Sequence, residues 1–175
     1  IKIIIWVLWM PNIALGSEMF HIAIGQIVEH PALDTLRLGL KEGLERKGYQ
    51  EGKNLKWTYE NAHGNLALAT QITHKLISAE PNVIITLSTP MTQAVAVGTK
   101  KIPIVFGCVT DPLFAKILGQ KNVTGLTDNI PLDNQIKLIK SMVPQVKTIG
   151  IIFNPGEANS QKQVRDFVSL AKKTE

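Results

Sequence analysis

Two hydrophobic periods take turns along this chain, and their alternation limits the fold more than any single residue does. The run Val83-Ile84-Ile85-Thr86-Leu87 is almost uninterruptedly apolar, as expected of a strand buried on both faces. Pro81 stops the helical pattern before it, and Ser88-Thr89-Pro90 opens the next one, with a capping hydroxyl and a proline in the first turn. The same punctuation recurs on either side. A β-branched stretch from His21 to Val28 reads as a strand, and Pro31 then opens a helix carrying Leu33, Leu36, Leu40 and Leu44 as far as Lys47, where Gly48 ends it. Residues 55–60 alternate as a second strand, and residues 65–79 give a helix with Leu68, Ile72, Leu76 and Ile77 on one face. After the helix that ends at Gly98 come a strand at 103–106, a short helix from Asp111-Pro112, and at 123–127 a fifth short strand or a crossing segment. A helix over 132–143, a buried strand over 148–153 and a helix over 158–173 complete the pattern. Strands alternating with helices predict an α/β fold: a parallel sheet flanked by helices on both faces.

Composition adds exclusions. With 45% hydrophobic and 19% charged residues in 175, the chain is globular in character, not disordered. The net charge of +5 raises the question of nucleic acid. The lysines, however, are spread from Lys41 to Lys173, no segment packs five basic residues together and none interleaves them with aromatics, so they read as a solvated surface, with no nucleic-acid partner. The single cysteine, Cys108, excludes an internal disulfide, and its place in Ile104-Val105-Phe106-Gly107-Cys108-Val109 suits a small buried hydrophobe more than a nucleophile. His21, His30, His63 and His74 have no i,i+4 metal spacing, so no metal and no cofactor are expected. There is no Gly-rich phosphate loop, no G-x-G-x-x-G after the first strand and no G-x-S-x-G elbow. His30 beside Glu29 is the best general-base candidate, yet adjacent residues do not face one another and Pro31 follows directly. An enzyme is therefore not expected.

Lys2, the run Ile3 to Met10 and the small residues Ala14-Leu15-Gly16-Ser17 have the order of a secretory signal peptide cleaved after Gly16. The apolar part is too short for a bilayer, which takes ~20 residues. A buried first strand is the alternative. This gives residues 1–16 as a signal peptide, 17–128 as a first α/β lobe, and 129–175 as a crossover and the beginning of a second lobe. Beyond Asn129 only helix–strand–helix remains, and one parallel strand with two helices cannot satisfy its own edges. It either joins the first sheet, continues into a second domain, or is covered by a second copy in a homodimer.

In open parallel sheets ligands bind at the carboxyl ends of the strands. Those positions hold Gln26, Glu29 and His30, then Ser88, Thr89 and Thr92, then Asp111, and finally Asn154, Glu157 and Asn159. Helix N-termini carry free N–H groups and a partial positive charge, so Ser88, Thr89 and Thr92 are placed to hold a carboxylate, and Asp111 or Glu29 an ammonium. The plainer reading makes Ser88 and Asp111 helix caps and Asn154-Pro155-Gly156 a turn. Four polar loops at one sheet edge favour a binding edge.

These loops resemble the substrate-binding proteins of ABC importers of the tryptophan/tyrosine-permease type. The resemblance rests on Gln26-Ile27-Val28-Glu29-His30-Pro31-Ala32-Leu33-Asp34, Gly48-Tyr49, Glu51-Gly52-Lys53-Asn54, Asn61-Ala62, Thr86-Leu87-Ser88-Thr89-Pro90 and Pro103-Ile104-Val105-Phe106. It continues through Thr110-Asp111-Pro112, Asn122-Val123-Thr124-Gly125 and the block from Ile149 to Ser160. It implies a type 1 periplasmic-binding-protein fold, with the first lobe complete and the second partial, because members run to about twice a single lobe of ~150 residues. It also implies an amino-acid-like, often aromatic ligand between two lobes, a membrane permease as partner and an extracytoplasmic, periplasmic location. The matched loops carry over Gln26, Glu29, His30, Ser88, Thr89 and Asp111 on the first lobe, and Asn154, Glu157 and Asn159 on the second. A sensor domain of the same fold and a small α/β enzyme are the alternatives. A repressor's effector domain is disfavoured because an apolar leader stands where its helix-turn-helix would be.

Overall fold

The computed structural model describes residues 19–173; the leader expected at 1–16 lies outside them. Ten elements follow one another: β1 (Phe20–Gln26), α1 (Pro31–Arg46), β2 (Leu55–Asn61), α2 (Leu66–Ser78), β3 (Val83–Leu87), α3 (Thr89–Gly98), β4 (Ile104–Val109), β5 (Val123–Thr127), α4 (Leu132–Met142) and α5 (Ala158–Ala171). The strands form one five-stranded sheet in the order β2-β1-β3-β4-β5, and every pairing is parallel. The central strands β1 and β3 hold Ile22, Ala23, Ile24, Ile84 and Leu87 at 2% exposure or less, which explains their continuous apolar character.

Helices cover both faces, as local contacts prove. Gly25 pairs with Thr86 and Leu87 with Gly107, while Thr86 and Leu87, being consecutive, point to opposite faces. Over Gly25 lie Leu76 of α2 and Met91 of α3; over Gly107 lies Leu36 of α1. Thus α1 packs on one side and α2 with α3 on the other. Side-chain caps start two of these helices: His30 Nδ1 accepts from Ala32 N–H at 3.2 Å, and Asn65 Oδ1 accepts from Ala67 and Leu68 N–H at 2.9 and 3.1 Å.

The structure departs from the sequence reading in four places. First, residues 148–153 form no strand: Ile149, Ile151 and Phe153 are about 40% exposed and Ile152 is fully exposed. A strand exists only through its ladder partners, and none of the described residues lies beside this segment as one. Second, Asp111-Pro112 starts a single turn instead of a helix. Ala115 N–H reaches Asp111 O and Ile117 N–H reaches Pro112 O, but Lys116 at φ +57° and Gly119 at φ +99° turn the chain away. Third, Ser88 occupies the N-cap position of α3 without a capping bond; its backbone stands at φ +93°, ψ 159°, a region that favours glycine. Fourth, β1 ends at Gln26, two residues early, and β4 runs on to Val109 through a register shift between Phe106 and Val109. That bulge places Cys108 at φ +54°.

After β5, helices α4 and α5 pack against each other. Ala158, at the start of α5, also rests on a second small core of Phe106, Val109, Ala115 and Ile117. Among the described residues, no helix is long and apolar enough to cross a membrane.

Candidate functional site

The carboxyl ends of the strands open into a cavity of about 520 Å³. Its first wall comes from the loop after β1, with Ile27, Val28 and His30, and from Ser88, Thr89 and Pro90 at the start of α3. Its floor takes Cys108 and Thr110 from the end of β4 and Asp128 from the end of β5. Its far wall is the start of α5, with Glu157, Asn159 and Gln163.

Of the residues anticipated from sequence, His30, Ser88, Thr89, Glu157 and Asn159 line this cavity together. Because His30 Nδ1 accepts the Ala32 N–H, the neutral ring carries its proton on Nε2 and is a donor there. Ser88 Oγ, Thr89 Oγ1 and Asn159 Oδ1 are buried oxygens with no hydrogen-bond partner in the protein. Most buried polar atoms are paired, so three bare ones among the residues of a single cavity leave it with unmatched hydrogen-bonding capacity. Glu157 is held in place by two amides: Asn154 Nδ2 donates to its Oε1 at 2.9 Å and Asn159 Nδ2 to its Oε2 at 3.4 Å.

The other anticipated residues stand behind or beside the cavity. Gln26 is fully buried under the β1–α1 loop and donates to Val28 O and Asp34 Oδ1. Glu29 points to solvent, 3.9 Å from His63. Asp111 accepts the Phe114 N–H at 2.8 Å and pairs with Lys162 at 3.4 Å; these contacts, the Phe114 bond foremost, hold its carboxyl below the usual range. Asn154 orients Glu157 from an exposed turn, its Oδ1 accepting the Gly156 N–H.

Sequence reasoning passed over Asp128 and Gln163, had Thr110 only as a neighbour of Asp111, and read Cys108 as a small buried hydrophobe. Asp128 directly follows β5, so the carboxyl-end rule alone points to it. Cys108 reaches the cavity through the β4 bulge, which no pattern in the sequence announces; burial raises its thiol pKa, with Asp128 adding to the effect. Among the described residues, no group of three or more His, Cys, Asp or Glu side chains is gathered to hold a metal ion.

Known proteins are similar to this chain in sequence and fold. A tyrosine-binding protein of Clostridioides difficile (strain R20291) is 38% identical over 163 residues, which is 90% of this chain and 47% of that protein. A conserved domain protein of Vibrio cholerae has a solved structure that superposes with a TM-score of 0.87 at 46% identity, covering 90% of this chain and 55% of that one. The structure of an ABC domain in complex with L-Trp from Streptococcus pneumonia gives 0.84 at 31% identity, with the same shares. The chain thus spans about half the length of the relatives it matches. The family model described as ABC transporter substrate binding protein matches residues 21–175, which takes in both the sheet and the α5 wall of the cavity. With that match added to the parallel sheet and its half-length correspondence to these neighbours, the chain belongs to the ABC transporter substrate-binding protein family.

Proposed function

We propose that this chain is part of the extracytoplasmic solute receptor of an ABC importer. In this reading it holds a small amino-acid-like ligand with an aromatic side chain in the cavity and delivers it to a membrane permease. The observation that carries the reading is the set of unpartnered oxygens, Ser88 Oγ, Thr89 Oγ1 and Asn159 Oδ1, among the residues of one cavity. Two of these are hydroxyls at the N-terminus of α3, where the helix dipole favours negative charge; they donate to a carboxylate. The third is an acceptor beside Glu157, and with Asp128 it supplies the negative side that an ammonium requires. Ile27, Val28 and Pro90 give apolar surface between the two ends. An aromatic ligand is supported by relatives whose names record tyrosine and L-Trp. Binding and release need no bond to be made or broken, so the protein acts as a receptor and not as an enzyme.

Clamps of this kind close two lobes on their ligand, and a micromolar ligand requires about −8 kcal/mol. An NMR titration with L-tryptophan, tryptamine and indole-3-propionate tests the reading. L-Tryptophan should shift the amides of Ser88, Thr89 and Asn159, and each analogue lacking one charged end should bind at least about tenfold more weakly, a loss near 1.4 kcal/mol. Equal binding of all three, or shifts only elsewhere, would overturn it.

A further inference from the structure

We propose that the Lys162–Asp111 ion pair is a latch that positions α5, and with it Glu157 and Asn159, over the cavity. The proposal rests on the reading of that cavity given above. Helix α5 has no buried residue of its own, so apolar burial does little to fix its rotation. It packs against α4, and its hold on the β4 side of the fold lies along one stripe: Ala158, Lys162 and Arg165, at i, i+4 and i+7. Ala158 rests on the small core beneath β4, Lys162 Nζ lies 3.4 Å from Asp111 Oδ2, and the Arg165 guanidinium sits 5.0 Å above the Phe114 ring. The cavity residues Asn159 and Gln163 occupy the neighbouring stripe, about 100° around the helix. Rotating or lifting α5 off the first stripe therefore removes the second from the ligand.

One carboxylate does two jobs here. Asp111 Oδ1 accepts the Phe114 N–H at 2.8 Å while Oδ2 faces Lys162, so the same group sets the ring under Arg165 and anchors the helix. The turn is tied in addition to α3, where Gln93 Nε2 donates to Ala115 O at 2.9 Å. A continuous set of contacts thus runs from the helix at one end of the cavity to the helix at the other. Lys162 and Asp111 are only 25% and 28% exposed, so salt screens them less than it does a fully exposed pair. Lys162 also bonds Asp166 on its own helix, which keeps its ammonium charged and aimed along this face.

Amide hydrogen exchange on the chain, for wild type, Lys162→Met, Asp111→Asn and the double variant, tests the latch. Asparagine at 111 keeps an oxygen for the Phe114 N–H, so this variant removes the charge without the turn. Each single variant should speed exchange across residues 160–166 by about threefold to tenfold. The double variant should do no more than either alone, and the amides of β1 and β3 should stay as they are. Lys162→Arg should restore slow exchange. Effects that add in the double variant, an unchanged α5, or strands loosened to the same degree would overturn the proposal. L-Tryptophan affinity, read by NMR on the same proteins, should fall by the same factor in both single variants. If exchange behaves as expected but L-tryptophan moves no cavity amide in any of them, the latch holds and the ligand reading fails. If L-tryptophan binds but exchange is unmoved, the latch alone fails.

Discussion

Gln26 Nε2 donates to Asp34 Oδ1 at 2.9 Å and to Val28 O at 2.8 Å, tying the end of β1 to the first turn of α1. The contact shapes the loop that carries Ile27, Val28 and His30 to the cavity. Gln26 is completely buried and its own Oε1 has no partner, so the site already accepts one desolvated oxygen to keep these two bonds. Gln26→Leu should strip both acceptors of their donor and cost about 1–3 kcal/mol. Urea denaturation followed by circular dichroism measures it; a loss below about 0.5 kcal/mol would mean the loop is held by other contacts.

Ser88 pairs backbone strain with a place on the cavity wall. Its φ of +93° is a region that glycine adopts freely and serine only under strain, and its hydroxyl is left without a partner. Ser88→Gly should therefore stabilise the fold by about 1 kcal/mol while weakening capture of a carboxylate. The two effects need separate measurements: a denaturation midpoint, expected to rise, and the L-tryptophan titration, expected to weaken. A variant that is both less stable and unchanged in binding would show that the strain serves packing alone.

Two glycines distinguish soft from hard crowding. A Cβ on Gly25 would come within 2.5 Å of the Met91 methyl, whereas one on Gly125 would come within 2.2 Å of the Phe106 carbonyl oxygen. The first obstacle is the far end of a flexible side chain and can swing away; the second is backbone in the β4–β5 ladder. Gly25→Ala should cost about 1 kcal/mol or less and Gly125→Ala about 3 kcal/mol. Thermal melts should rank them in that order, and the reverse ranking would contradict the packing described.

What could be read from sequence is what local pattern determines. The apolar run Val83–Leu87 became β3 with the expected bounds, because burial on both faces leaves its mark on every residue; Val123–Thr127 became the edge strand β5, whose residues are half-buried or exposed. Residues 148–153 carry the same mark, yet Ile152 is fully exposed. Hydrophobicity records that a segment needs a partner, not that one is present. Backbone detail was equally hidden. Ser88 has the composition of an N-cap and the dihedrals of a glycine, and the bulge that turns Cys108 toward the cavity depends on register with β5. The site was legible as an edge more than as a list of contacts. His30, Ser88, Thr89, Glu157 and Asn159 meet in the cavity, whereas Gln26 and Asn154 bond cavity residues from outside it, and Asp111 pairs with Lys162 beside it. Distinguishing a contact from its support takes three dimensions.

His21 gives the fold a dependence on pH that is separate from the site. It is buried at 6% exposure in β1, and its Nε2 lies 2.9 Å from Thr58 Oγ1 on the neighbouring strand. Burial, then the positive charge of Lys56, lowers its pKa below the ordinary value of about 6.5. The folded protein therefore binds fewer protons than the unfolded chain between the depressed value and 6.5. Stability is full above that window and falls as pH drops through it. Denaturation midpoints at pH 7.5 and 5.5 should show the loss before most carboxylates titrate. His21→Gln should flatten that slope while keeping a polar group near Thr58. An unchanged slope in His21→Gln would place the sensitivity elsewhere.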